Sequence, residues 1–236
     1  MSPWFKTFRG NCHCTAFVFE IDLLPLESAG ECNCSICQKK GYLWVYGSRD
    51  QFRVVKGDEN DLSSYSFGDK MAFHKFCPKC ATPLICASPE GPNNRQIAIN
   101  ARAIQGVDPW EWEITPLNGK AFGKPYEAPE YEGPDPKTEI EGGKMYHGSC
   151  HCGAVTLALK SLPLDKKYPS KIIDCNCSHC LRNGYLWVYV PKDAVVLQGE
   201  ENIGRYTFSS GSLAKTFCKT CGVNLTNDIV DESDKA

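Results

Sequence analysis

Apolar and polar positions in this chain alternate most clearly at a period of two. Val155, Leu157 and Leu159 alternate with Thr156, Ala158 and Lys160, the spacing of a half-buried strand. Gly41-Tyr42-Leu43-Trp44-Val45-Tyr46 is short, aromatic and β-branched, so it reads as a second strand, and it recurs unchanged as Gly184-Tyr185-Leu186-Trp187-Val188-Tyr189. Tyr42, Trp44 and Tyr46 fall on one face of that strand, packed in the core or walling a pocket. Arg53–Gly57, Val195–Gly199 and Gln96–Asn100 read as further strands. No segment sustains a helical period. The pattern predicts two small, mostly antiparallel β domains with cysteines on the loops between strands.

The duplication is plainest in the cysteines. Cys12 and Cys14, then Cys32, Cys34 and Cys37, then Cys77 and Cys80 are matched in order by Cys150 and Cys152, Cys175, Cys177 and Cys180, and Cys218 and Cys221. Leu24-Pro25-Leu26 recurs as Leu162-Pro163-Leu164, and Tyr65-Ser66-Phe67 as Tyr206-Thr207-Phe208. A repeat this long is a duplicated domain rather than a solenoid. The division expected is a first domain over 1–118, a Pro-, Gly- and Glu-rich linker over 119–143, and a second, shorter copy over 144–236. The second copy has no equivalent of the strand near Ile97, and one solution is for the halves to complete each other. Asp231–Ala236 reads as a frayed polar tail.

Composition narrows the chemistry. Among 236 residues the net charge is −2, with no basic run, which counts against nucleic acid as the main partner. No apolar stretch reaches membrane-spanning length, and the start lacks a signal-peptide core. A cytoplasmic, reducing location follows as the expectation, and there fifteen cysteines point to metal rather than disulfides. Only Cys86 falls outside the repeated pattern.

Each copy has seven thiols, which divide into four and three. Four thiolates close a tetrahedral zinc site, whereas three leave a position open. The pairs of each copy make the natural quartets: Cys12 and Cys14 with Cys77 and Cys80, and Cys150 and Cys152 with Cys218 and Cys221. Metal bound there also supplies folding energy. The trios Cys32, Cys34, Cys37 and Cys175, Cys177, Cys180 suit a zinc with a vacant corner for chemistry. Other readings remain: a histidine, a side-chain oxygen or Cys86 fills that corner, or the trios are free redox thiols. His13 and His151 lie between two ligands, so their rings are expected to point away from the metal. His179 is a further candidate ligand. His74, three residues before Cys77, is a candidate proton shuttle or a plain hydrogen-bonding group.

These residues resemble a known family. Gly148-Ser149-Cys150-His151-Cys152-Gly153, Cys175-Asn176-Cys177-Ser178-His179-Cys180 and Phe217-Cys218-Lys219-Thr220-Cys221-Gly222 look like the glutathione-dependent formaldehyde-activating enzyme family, which includes centromere protein V. Gly10–Cys14, Cys32–Cys37 and His74–Cys80 carry the likeness in the first copy. The resemblance implies a fold similar to the Mss4-like fold, a structural zinc on the outer quartet and a catalytic zinc on the trio. It also implies carbon–sulfur lyase chemistry that joins glutathione to formaldehyde. The copies depart from one another: Thr15 stands against Gly153, Ala81 against Gly222, and His74 against Lys215. One half then suits catalysis and the other a scaffold, with the first favoured because it keeps His74.

On this reading a thiol entering the open corner is deprotonated and adds to a carbonyl carbon, and His74 or water supplies a proton to the oxygen. Lys39, Lys40 and Arg49 beside the first trio, and Arg182 after the second, are candidates for the carboxylates of glutathione or else solvated surface charge. The partners implied are a small-molecule thiol and an aldehyde or other electrophile; the sequence does not set the oligomeric state. The competing classes are a non-catalytic zinc scaffold for a protein partner, a biosynthetic enzyme that adds glutathione transiently to a larger electrophile, and a zinc buffer or redox sensor.

Overall fold

The computed structural model describes residues 4–88 and 97–230, so the tail at 231–236 and Gln96 lie outside the described residues. Among the described residues the protein is mostly β, with two short α-helices, and it divides into two compact units. The first comprises Met1–Tyr126 together with Cys177–Gly184; the second comprises Glu127–Asn176 and Tyr185–Ala236.

The first unit contains β1 (Lys6–Asn11), β2 (Val18–Leu23), β3 (Ser28–Cys32), α1 (Ser35–Lys40), β4 (Trp44–Gly47), β5 (Phe52–Lys56), β6 (Ser63–Tyr65), β7 (Phe73–Phe76), β8 (Pro83–Ala87), β9 (Ile97–Asn100) and β10 (Glu113–Leu117). A three-stranded sheet runs β1-β2-β5, and a seven-stranded sheet runs β10-β3-β4-β9-β8-β7-β6. All pairs are antiparallel except β10 with β3, where Leu117 lies opposite Cys32. The core is formed by Phe17, Phe19, Ile21, Leu84, Ile85, Ile97 and Ile99, each at most 2 % exposed. Burying each such side chain contributes roughly 1.5–3 kcal/mol. Gly10 is required by this packing, because a Cβ there would lie 2.2 Å from the ring of Phe19.

The second unit repeats the order with β11 (Lys144–Ser149), β12 (Thr156–Ser161), β13 (Ile173–Asp174), β14 (Leu186–Trp187), β15 (Val195–Gln198), β16 (Ile203–Thr207), β17 (Leu213–Cys218) and β18 (Asn224–Ile229). Its sheets are β11-β12-β15, β13-β14 and β16-β17-β18. Its buried apolar set, which includes Val155, Ala158, Trp187, Ala194, Phe217 and Val223, has fewer members than that of the first. A structural ion therefore matters more to it.

The helices are where the structure departs from the sequence expectation. α1, and α2 (Ser178–Asn183) between β13 and β14, have six residues each, too few to show a helical period. Each begins at a cysteine cap, Cys34 or Cys177, and ends at a left-handed glycine, Gly41 (φ 59°) or Gly184 (φ 61°). Cys37 and Cys180 consequently sit on helices rather than loops. α2 packs within the first unit. There the Cβ of a residue at 41 would lie 2.9 Å from the Gly184 carbonyl oxygen, so glycine is required by close approach as well as by φ.

Tyr46 is a further difference. Tyr42 and Trp44 are 1 % and 4 % exposed, but Tyr46 is 40 % exposed. β4 begins only at Trp44, so Tyr42 precedes the strand, and Tyr46 is its exposed position.

Candidate metal and active site

The knuckles come first, because they set the ends of each unit. The four sulfurs of Cys12, Cys14, Cys77 and Cys80 lie within 4.8 Å of one another, as do those of Cys150, Cys152, Cys218 and Cys221. Cys14 Sγ is 3.6 Å from both Cys12 Sγ and Cys77 Sγ. Cys152 Sγ is 3.5 Å from Cys150 Sγ and 3.6 Å from Cys218 Sγ. These are not bonded sulfurs, which sit near ~2.05 Å. A tetrahedral ion with metal–sulfur bonds of ~2.3 Å separates its ligands by about 3.8 Å, so the donor set fits zinc in identity and spacing. Backbone amides complete the knuckles: Phe17 N–H donates to Cys12 Sγ and Val155 N–H to Cys150 Sγ, both at 3.3 Å. Hydrogen bonds from Cys12, Cys14 and Cys77 push the Cys80 thiol far below its ordinary pKa, and Cys150, Cys152 and Cys218 do the same to Cys221.

The knuckle backbone explains a difference between the copies. Gly153 and Gly222 follow the last cysteine of each knuckle at φ 81° and 68°, and Thr15 and Ala81 hold the same left-handed turn at φ 57° and 55°. The first copy keeps the geometry without the glycines.

The trios come together too. The sulfurs of Cys32, Cys34 and Cys37 lie within 4.8 Å of one another, and so do those of Cys175, Cys177 and Cys180. In the first trio, hydrogen bonds from Cys34 and Cys37 hold the Cys32 thiol down at about 2, and the amides of Cys34 and Gly119 add to this. The contacts with Cys32 and Cys34 raise the Cys37 thiol. Trp44 Nε1–H donates to Cys37 Sγ at 3.3 Å. Tyr42 stacks on Trp44 at 4.3 Å between ring centroids, and His74 lies 5.5 Å from Tyr42, 6.0 Å from Trp44 and 6.1 Å from Phe67. His74 is 5 % exposed, with Nε2 4.0 Å from Cys86 Sγ. Burial, and then the charge of Cys34 and Cys32, push the Cys86 thiol up to about 12, so it stays protonated. Among the described residues Cys86 is not part of the sulfur group of the trio. A cavity of about 580 Å³ opens beside Cys32, Cys37 and Tyr42 and is lined also by Leu117 and Asn118.

The candidate carboxylate contacts separate. Lys39 is exposed on α1. Lys40 is not a surface charge: it is 1 % exposed, with Nζ 4.9 Å from the Phe76 ring centroid and 5.9 Å from that of Tyr42. The helical step from Ile36 to Lys40 puts both on the inward face, which a loop would not have done. Arg49 pairs with Glu59, which Lys75 also holds at 2.7 Å, and lies over Phe52. Arg182 donates to the carbonyl oxygens of Ser178 (2.8 Å) and Asn11 (3.4 Å), so it braces backbone.

The other histidines also find places. His13 Nε2 is 3.0 Å from Ser178 Oγ, and burial lowers its pKa. His151 is 2 % exposed. His179 Nε2–H donates to the Cys80 carbonyl at 3.1 Å, so its ring serves the first knuckle. In the second unit Tyr185 stacks on Trp187 at 4.3 Å, as Tyr42 does on Trp44. Where β7 pairs His74 with Cys86, β17 pairs Lys215 with Asn227. Lys215 Nζ lies 4.4 Å from the Trp187 ring centroid. The same aromatic wall thus carries different chemistry in the two copies.

Among the described residues no helix is long and apolar enough to cross a membrane. A crystal structure of a Rhodobacter sphaeroides protein is similar at 31% sequence identity, covering 45% of this chain and 99% of that one, with a TM-score of 0.40. The pattern of a family described as glutathione-dependent formaldehyde-activating enzyme matches residues 7–113 and again residues 145–236. With the cysteine sets of both segments assembled as described and both segments matched, the chain belongs to the glutathione-dependent formaldehyde-activating enzyme family.

Proposed function

We propose that this protein is a zinc-dependent enzyme of the carbon–sulfur lyase type, which joins glutathione or a similar thiol to formaldehyde or another reactive carbonyl compound in the cytoplasm. One observation carries the reading: the sulfurs of Cys32, Cys34 and Cys37 converge, two of these residues, Cys32 and Cys37, line a cavity, and the remaining paired cysteines of that copy form a separate quartet. Zinc held by the trio would supply an open position where an entering thiol is kept as thiolate. The chain does the rest. Trp44 orients Cys37 through its N–H···S bond, and Tyr42 and Trp44 give the site a dry wall. The thiol sulfur forms a bond to the carbonyl carbon, the π pair moves to oxygen, and that oxygen takes a proton from His74 or water. Lys39, exposed on α1, is the contact for a glutathione carboxylate.

The second half serves as scaffold. Lys215 stands where the first half has His74, and its ammonium lies over Trp187. As units of duplication we propose 1–118 and 144–236, joined by 119–143; the compact units are divided differently, with Cys177–Gly184 in the first.

The test is a pair of variants in the zinc-loaded chain. Cys34→Ala is expected to reduce turnover of glutathione and formaldehyde by at least ~10²-fold while the melting temperature holds, because it strips a catalytic ligand. Cys77→Ala is expected to unfold the first unit. Turnover that survives Cys34→Ala, or a melt as severe as that of Cys77→Ala, would sink the assignment.

A further inference from the structure

We propose that the turn Asn118–Gly119–Lys120 is a positioning element for Cys32 and the outer wall of the cosubstrate cavity. This deepens the function just proposed and rests on the first trio holding the reacting thiol. The family pattern stops at residue 113, so the turn lies outside it.

The turn is built against the trio from both sides of Asn33. Asn33 N–H donates to the Leu117 carbonyl at 3.0 Å. Its side-chain Nδ2 donates to Asn118 Oδ1 at 2.9 Å, and its Oδ1 accepts from Lys120 N–H at 2.8 Å. Leu117 is seated on Gly30, where a Cβ would lie 2.5 Å from Leu117 Cδ1. These contacts press Gly119 onto the sulfurs. Its amide donates to Cys32, and a Cβ at 119 would lie 2.4 Å from Cys32 Sγ and 3.0 Å from Cys34 Cβ. Gly119 does not adopt the left-handed backbone that favours glycine, so the residue is small for the sake of the sulfur.

An amide aimed at a ligating sulfur fixes its direction and draws off part of its charge. The same turn reaches the cavity: Asn118, with Pro116 and Leu117 of β10, lines the space of about 580 Å³ that Cys32, Cys37, Gln38 and Tyr42 also line. The amides of Asn118 and Gln38 suit a thiol carrying peptide groups. Among the described residues β13 pairs with β14 and has no parallel partner like β10.

The experiment uses the full chain loaded with cobalt(II), followed by sulfur-to-cobalt absorption. The share of that absorption lost in Cys34→Ser marks the first trio. Gly119→Ala is expected to weaken cobalt binding at that share roughly 10–100-fold, the usual cost of removing a partner behind a ligand. The quartet absorption should remain, which a general loss of structure would not allow. Asn118→Ala adds no atom near the sulfurs; it should weaken the same site a few-fold and raise KM for glutathione more than it lowers kcat. If Gly119→Ala also loses the quartet signal, Asn118→Ala decides by these two readouts. Unchanged cobalt affinity and spectrum in both variants would overturn the inference. A chain whose absorption is the same with and without Cys34 would overturn the reading of the trio itself, and the role of the turn with it.

Discussion

At Thr15 the first copy places a β-branched residue where the backbone is left-handed, φ 57°, and the second copy has Gly153 at φ 81°. The left-handed region costs an L-residue roughly 1–2 kcal/mol, because Cβ crowds the following carbonyl. Thr15 is exposed, so replacing it with glycine removes no packing. Part of the gain is offset by the greater freedom of glycine in the unfolded chain. Thr15→Gly should therefore stabilise the zinc-loaded protein by about 0.5–1 kcal/mol, seen as a higher denaturant midpoint. Gly153→Thr should do the reverse and more strongly, since its Cβ would come within 3.0 Å of Pro129. A drop in midpoint for Thr15→Gly would contradict this account of the knuckle. The cysteine sets themselves were legible in the sequence, because spacing alone groups pairs and trios. What spacing could not tell was which neighbour serves which site. Lys40 reads as a surface charge until α1 turns it under Phe76, and His179 reads as a ligand of its own trio until its ring meets the Cys80 carbonyl.

At the level of elements, three segments meet at one carboxylate. Glu59, on the turn between β5 and β6, receives Arg49 from the turn before β5 and Lys75 from β7. Burial alone would raise the pKa of Glu59, but Lys75 and Arg49 outweigh it and hold the carboxyl below its ordinary value of 4.5. A depressed folded-state pKa contributes stability above the unfolded value, lost as pH falls through the lower folded value. Comparing the wild type with Glu59→Gln between about pH 6 and pH 3 should show a difference in stability that is constant at the upper end and shrinks below about pH 4.5. The acid sensitivity of the thiolate sites is common to both proteins and cancels in the difference. A gap that stays constant down to pH 3 would mean the carboxyl is not held by its two cations. The strands that were legible were so for a local reason, being short and aromatic or β-branched; β3, Ser-Ala-Gly-Glu-Cys, carries no such signal. β5 and β15 fall almost where alternation and turns put them. The pairing of β10 beside β3 was not legible, because it joins residues 28–32 to 113–117 with no local signal at either end.

For the whole chain, the consequence lies in residues 177–184, which repeat α1 in sequence yet pack within the first unit. His179 is 1 % exposed and donates to the Cys80 carbonyl; Asn100 Nδ2 donates to the Arg182 carbonyl at 3.3 Å. The first unit is therefore not finished by residues 1–126 alone: its four-sulfur knuckle has a backbone oxygen satisfied by a side chain about a hundred residues later. A duplicated sequence with matched cysteines suggests two closed copies, and only the packing of α2 within the first unit shows otherwise. His179→Ala removes the donor and leaves that carbonyl buried, at a cost of about 1–3 kcal/mol. The damage should fall on the quartet of Cys12, Cys14, Cys77 and Cys80. Competition with a zinc chelator is the measurement, with Cys12→Ser and Cys150→Ser marking which quartet each released ion came from. His179→Ala should speed release from the first quartet and leave the quartet of Cys150, Cys152, Cys218 and Cys221 unchanged. If release instead quickens at the trio Cys175, Cys177 and Cys180 alone, then His179 serves the metal of its own copy and the first unit closes without it.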